Sequence, residues 1–209
     1  MRKRADIGKR ILLGILVIGI LSVPLKGQPL HAGFFAGVNA SQVAGDTYSG
    51  FNKLGPTAGV FLNQLIDFDI YWQTEIKYGI RGVYEGPDEN STDLYRSSYH
   101  ILELALSVHY LYQDRILVEI GTSPELLIAA RFHDENGIMD PSIYPDNRRL
   151  GLSVFAGLGY CINEKLMAGL RYTNSAIPFR KPEEWNNPQY RGYFHNVITL
   201  SFAYSFLKN

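Results

Sequence analysis

The chain has little of three things. Cysteine occurs once in 209 residues, at Cys161, so an internal disulfide is excluded, and with it the small disulfide-stapled exported scaffold. Charged residues make up 19% of the chain, below the ~25% usual for soluble domains. Beyond residue 32 no apolar run approaches the ~18 residues that a membrane-spanning helix needs. Catalytic signatures are also missing: the sequence holds no GxSxG, no HExxH, no phosphate-binding glycine loop and no paired CxxC. The chain therefore reads as non-enzymatic and implies no cofactor.

What is there begins with a leader. Arg2, Lys3, Arg4, Lys9 and Arg10 precede an apolar stretch over residues 11–25, followed by the uncharged or small residues GQPLHA at 27–32. This is the three-part pattern of a cleaved secretory signal peptide, and the apolar stretch is short for an uncleaved anchor. We assign residues 1–32 to the signal peptide and 33–209 to one exported domain, with cuts after Gly27 or Ala32 both compatible with the pattern. No cysteine stands near either position to take a lipid. Removing residues 1–32 leaves 14 basic and 19 acidic residues, a net charge of −5. No basic face for a nucleic acid is expected.

The exported part reads as strands of period two. In the last, Ile198, Leu200, Phe202, Tyr204 and Phe206 fall on one face, and Val197, Thr199, Ser201, Ala203 and Ser205 on the other. The same alternation recurs over 34–42, 55–65, 70–83, 99–111, 116–132, 150–162 and 166–174, giving eight strands. Connections alternate in length: 43–54, 84–98, 133–149 and 175–193 are long, while 66–69, 112–115 and 163–165 are tight. In a meander all long loops then share one end. An even strand count with that asymmetry is the layout of an all-β, eight-stranded antiparallel up-and-down transmembrane β-barrel in the outer membrane.

Alternation alone also fits a soluble barrel with its apolar face inward. The polar face here, however, is rich in Gly, Ala and Ser, where a water-facing surface would carry Lys and Glu. The apolar face ends in Trp72, Tyr99, Tyr110, Phe132, Tyr160, Tyr172 and Phe206, as an interfacial girdle would. The apolar set, including the assembly strand Ile198, Leu200, Phe202, Tyr204 and Phe206, is thus expected to face lipid. The charged set Glu75, Lys77, Glu103, His109, Glu119, Glu125, Arg131 and Arg171 is expected to face inward, because a lipid-facing Arg or Lys at midplane costs ~2–4 kcal/mol. Eight strands leave an interior that side chains fill. A plugged polar core is expected, with carboxylates against Lys77, Arg131 and Arg171.

Several segments resemble the PorT-like outer-membrane β-barrel family: GVNASQV at 37–43, Gly45-Asp46, YSGFNK at 48–53, YWQTEIKYG at 71–79, HILELAL at 100–106, 121–131, 151–160 and LSFAYSF at 200–206. Together they span nearly all of 33–206. The resemblance implies a barrel in the outer membrane of Bacteroidota-type bacteria, and its founding member is linked to a protein-secretion machinery. Residues 207–209 continue past Phe206, a departure from barrels that end on their last aromatic.

Other candidates have ordinary readings. Cys161 is a small inner-face residue. His100, His133 and Asp134 would be the residues of a lipid-modifying barrel enzyme, and His100 and His109 should point to opposite faces. Residues 88–93 (DENSTD) are oxygen-rich but lack the glycine and distal glutamate of a calcium loop. Residues 180–185 (RKPEEW) form a polar loop with one aromatic. The leading reading is a structural or interaction barrel with four external loops. Alternatives are a secretion-system accessory component, a small channel or transporter, a lipid-modifying barrel enzyme, and a soluble exported binder. Expected partners are outer-membrane lipid and lipopolysaccharide, the barrel-assembly machinery and a secretion-machinery protein.

Overall fold

A computed structural model describes residues 30–45, 50–86, 94–135, 137–138, 147–180 and 192–206. Among these, the strands are β1 (Leu30–Ala44), β2 (Lys53–Asp67), β3 (Ile70–Glu85), β4 (Tyr95–Tyr112), β5 (Ile116–Asp134), the two-residue β6 (Gly137–Ile138), β7 (Leu150–Cys161), β8 (Leu166–Ser175) and β9 (Phe194–Ser205). Every pairing is antiparallel, in the order β4-β3-β2-β1-β9-β8-β7-β5-β6. Pairing of β4 with β5 closes the eight long strands into a barrel, and β6 is a short addition on the end of β5. Closure leaves no long strand with an unpaired edge, which a bilayer, lacking water to satisfy backbone groups, requires.

The faces are inverted relative to a soluble barrel. Outward positions are apolar and exposed: Phe34, Val60, Ile76, Ile120, Leu158 and Phe202 each show half or more of their surface. Inward positions such as Glu75, Lys77, Arg81, Glu103 and His109 are buried. Apolar surface this extensive and continuous does not stand in water; it is a lipid-facing band. The soluble-binder reading falls on this observation.

Tight turns join the strands at one end. Gln113 and Asp114 both have positive φ, 51° and 56°, as the central residues of a type I′ turn do, and the Arg115 amide closes that turn on the Tyr112 carbonyl at 3.2 Å. At the next turn the Asn163 side-chain oxygen accepts from the amides of Lys165 and Leu166, both at 2.9 Å, a local bond that stands in for ladder pairing. Close approach of ring to backbone is needed at Gly33, where a side chain would collide with the Phe61 ring and the Tyr204 carbonyl.

Two boundaries differ from the sequence reading. β1 starts at Leu30, so Leu30, His31 and Ala32 pair with Gln64, Asn63 and Leu62 although they stand in the segment assigned to the leader. The remainder of that leader lies outside the described residues, as do 88–93 and 181–185. In β5 the register with β4 shifts between His100 and Ile101, which face Ala129 and Leu127. One extra residue in β5 exchanges inside and outside for everything beyond it.

Candidate functional site

The lumen is built from the inward half of each strand's alternation, and its centre is ionic. Arg171 on β8 lies across the barrel from Glu75 on β3, four strands away in either direction. Its Nη1 and Nη2 donate to Glu75 Oε2 and Oε1 at 2.8 and 2.7 Å. Its Nε and Nη2 donate to Glu119 Oε1 and Oε2 on β5 at 2.6 and 2.8 Å. One guanidinium thus holds two carboxylates by paired bonds, the geometry in which Arg binds carboxylate best. The Phe155 ring lies 4.3 Å beneath its central carbon. Gly157 keeps this space open, since a side chain there would strike the Glu119 carboxylate.

Further pairs surround this crossbeam. Lys77 Nζ lies 3.0 Å from Glu103 Oε2, which also accepts from Ser123 Oγ at 3.2 Å. Arg81 Nη2 lies 2.6 Å from Glu125 Oε2. Gln73 Nε2 donates to Glu75 at 2.7 Å. His109 Nε2 sits 2.7 Å from Ser107 Oγ and 3.6 Å from Glu119. Buried charges need such partners, because desolvation costs several kcal/mol per ion and only tight pairing offsets it.

Of the inward set read from the sequence, Glu75, Lys77, Glu103, His109, Glu119, Glu125 and Arg171 stand in this network. Arg131 does not: the β5 bulge turns it to the outer wall, where it is exposed. Arg81, not singled out in the sequence, is the cation that faces Glu125. The signal for it was present, since residues 75, 77 and 81 share one parity. Two aromatics assigned to the girdle are inside. Phe132 is carried in by the same bulge, and Tyr99 shares the inward parity of Glu103. On β9, Leu200, Phe202 and Tyr204 are exposed outward and Ile198 is half-buried, and Phe206, just past its end, is exposed.

Above the ions, toward the long loops, the lumen is largely aromatic and aliphatic, although Lys53, Ser41 and His195 are buried at the same end. Val43, Val83, Tyr99, Ile101, Phe132 and Phe179 form one buried cluster. Phe179, from the connection between β8 and β9, stacks on His195 with ring centres 4.0 Å apart, and Tyr99 meets both edge-on. Below the ions, toward the tight turns, a cavity of about 250 Å³ opens, with Phe35, Phe61, Leu117 and Met167 in its wall and Glu75, Glu119 and Arg171 at its floor. Cys161 lines this cavity.

The residues proposed for a lipid-modifying site are not gathered. His100 faces Ala129 and bonds the Tyr78 hydroxyl at 2.6 Å. His133 faces Arg96, four residues along β4 from His100, a separation of roughly 13 Å at about 3.4 Å per residue. Among the described residues no group of three His, Cys, Asp or Glu side chains is placed to hold a metal ion.

A family model described as outer membrane protein beta-barrel domain matches residues 24–178. The fold is similar to Neisserial surface protein A (NspA), with a TM-score of 0.53 at 11% identity over 85% of this chain and 97% of that one. It is also similar to Ail, the attachment invasion locus protein of Yersinia pestis, with a TM-score of 0.49 at 13% identity over 84% of this chain and 98% of that one. No curated protein matches.

Proposed function

The chain belongs to the outer membrane protein beta-barrel domain family, and from that premise we propose that it is a closed, non-enzymatic barrel that spans the outer membrane to present its four long loops outside. The observation that carries this reading is the crossbeam: Arg171 joins opposite walls of the lumen through Glu75 and Glu119. With the aromatic cluster above it, the lumen is blocked at two levels. A small channel or transporter would need both of them to open. The separation of His100 from His133 speaks against the lipid-modifying alternative.

The test is conductance together with surface exposure. In planar bilayers the folded protein should give no conductance steps, and protease added to whole cells should cut within the long connections and spare the barrel. Steady single-channel currents would end the closed-barrel reading. Lipid A that changes on expression of the wild-type chain, but not of a His100→Ala variant, would reinstate the enzyme.

Within the family, the matching segments at 37–43 and 71–79 support kinship to the PorT-like barrels, and a secretion-accessory role is the second reading. Affinity capture of the loop-bearing barrel from outer membranes tests it by asking whether secretion-machinery proteins come with it. For processing, we place the signal-peptide cut after Gly27. A cut after Ala32 would remove three residues that pair with β2, and the Ala32 carbonyl, which accepts from the Phe206 amide at 3.0 Å. N-terminal sequencing of the mature protein decides between the two.

A further inference from the structure

Along the described strands the outer wall carries uncharged side chains, apolar for the most part, with few charged exceptions. Apart from Asp67, whose carboxylate caps its own hairpin turn at 2.9 Å, the charged residues on outward strand positions are Arg96 and Arg131. Both are exposed. They stand at the long-loop end of β4 and β5, in successive cross-strand rows. One row is Tyr84, Arg96 and His133; the next is Gly82, Ser98 and Arg131; the third is Ile80, His100 and Ala129. Arg131 is therefore diagonal to both Arg96 and His100, at about 7–8 Å. Among the described residues no carboxylate makes an ion pair with either arginine.

The bulge is what makes this patch. Without the extra residue in β5, Arg131 would point into the lumen and Phe132 would lie on the wall. Charge on a lipid-facing wall is unfavourable at the midplane and tolerated near the interface, and these two arginines sit where the strands approach the loops. Immediately below them the wall returns to Leu102, Leu104, Ile76 and Ile128, all exposed. Two guanidinium groups, with Tyr84 opposite Arg96 in its row and Tyr78 bonded to His100 below, set above an apolar band, match an anionic head joined to acyl chains. Guanidinium groups favour phosphate for its paired acceptor oxygens.

We propose that Arg96 and Arg131 form a binding site on the outer wall of β3–β5 for the phosphate groups of the glycolipid of the outer leaflet, whose acyl chains lie along Leu102, Leu104 and Ile128. This rests on the reading above in one respect, that the long-loop end faces outward. The site orders a phosphorylated lipid against one side of the barrel, with Arg96 and Arg131 gripping the head and the β4–β5 ladder carrying the tails.

The experiment uses the full mature barrel folded in mild detergent and titrated with diphosphorylated lipid A, dephosphorylated lipid A or phosphatidylglycerol. Native mass spectrometry reads bound lipid, and the temperature at which heat-modifiable gel migration is lost reads stabilisation. Diphosphorylated lipid A should bind about tenfold more tightly than dephosphorylated lipid A, the loss expected when charged hydrogen bonds go unmade, and more tightly than phosphatidylglycerol, whose single phosphate engages one arginine. Arg96→Ala with Arg131→Ala should abolish that preference, and Arg96→Lys with Arg131→Lys should keep part of it, as point charges without the paired geometry. Equal binding of phosphorylated and dephosphorylated lipid by the wild-type protein overturns the proposal, and this arm needs no variant to fold. Phosphatidylglycerol binding as tightly as lipid A overturns the glycolipid assignment. A folded double-alanine variant with unchanged preference assigns the lipid elsewhere and also overturns it. Protease shaving of whole cells reports on orientation separately, so a loop end found inside would sink the orientation and leave the detergent affinities readable.

Discussion

The two ends of the lumen are built on different chemistry. Toward the long loops it is mainly aromatic, with Phe179 folded in from a connection and stacked on His195. Toward the tight turns it is an open cup with an ionic floor. Between them Arg171 ties β8 to β3 and β5. The two blocks differ in what they resist. The ionic layer is rigid because every partner lost leaves a charge buried, whereas the aromatic layer is held by packing and by one loop residue. A barrel that needed to pass solute would have to undo both, and the two barriers act in series.

That difference can be broken from either side. The largest effect should come from Arg171→Ala, which leaves Glu75 and Glu119 buried without their cation and should lower stability by about 3–5 kcal/mol, as loss of one partner from a buried pair does. Chemical unfolding of the detergent-folded barrel reads this. Arg171→Met combined with Glu75→Gln and Glu119→Gln should recover most of it, since no charge is then left buried and a neutral amide costs less to desolvate than an ion. If the triple variant is as unstable as the single one, the layer acts through shape and not charge. Next is Phe179→Ala, with an expected loss of about 3 kcal/mol from truncating a buried aromatic and faster amide exchange confined to the loop end. Neither single variant should conduct in planar bilayers, while Arg171→Ala with Phe179→Ala together should. Conduction by one alone would show that a single barrier seals the lumen.

Smaller effects sharpen the turn end. Gln113→Asn with Asp114→Gly should raise stability by about 1 kcal/mol, because both positions hold the left-handed φ that glycine and asparagine adopt at low cost. Melting by gel migration reads it, and a loss of stability would show that these side chains do more than turn the chain. The least disruptive test is labelling. A thiol reagent should reach Cys161 in the folded barrel through the cup, with no change in stability. A cysteine placed at Ser153, which is fully buried, should react only after unfolding. Equal rates at the two positions would contradict a lumen open at one end.

Much of this was legible in the chain. Alternation over 198–206 and 102–110 set the faces, and alternating loop lengths set the polarity of the barrel. The errors cluster at one place. Residues 126–130 read Leu-Leu-Ile-Ala-Ala, an unbroken apolar run in which period two has no visible phase. The bulge sits there, and beyond it Arg131 and Phe132 exchange faces. The run itself was the available signal: where alternation loses contrast, parity should not be carried across. Tyr99 was a different error, since its parity with Glu103 already placed it inside. The start of β1 at Leu30 was hidden because GQPLHA serves equally as a leader's end and as a strand's beginning.

The sequence by itself determined that eight strands would close with apolar side chains against lipid and charges within, because period-two alternation and the cost of charge in hydrocarbon act locally on each strand. Only the tertiary structure decided which charges meet. Arg171 finds Glu75 because closing the ring sets β8 opposite β3, a relation between residues 96 apart in sequence that no strand's own pattern contains. It also decided that Arg131 belongs to the wall, since one extra residue in a ladder shows itself only against the partner strand.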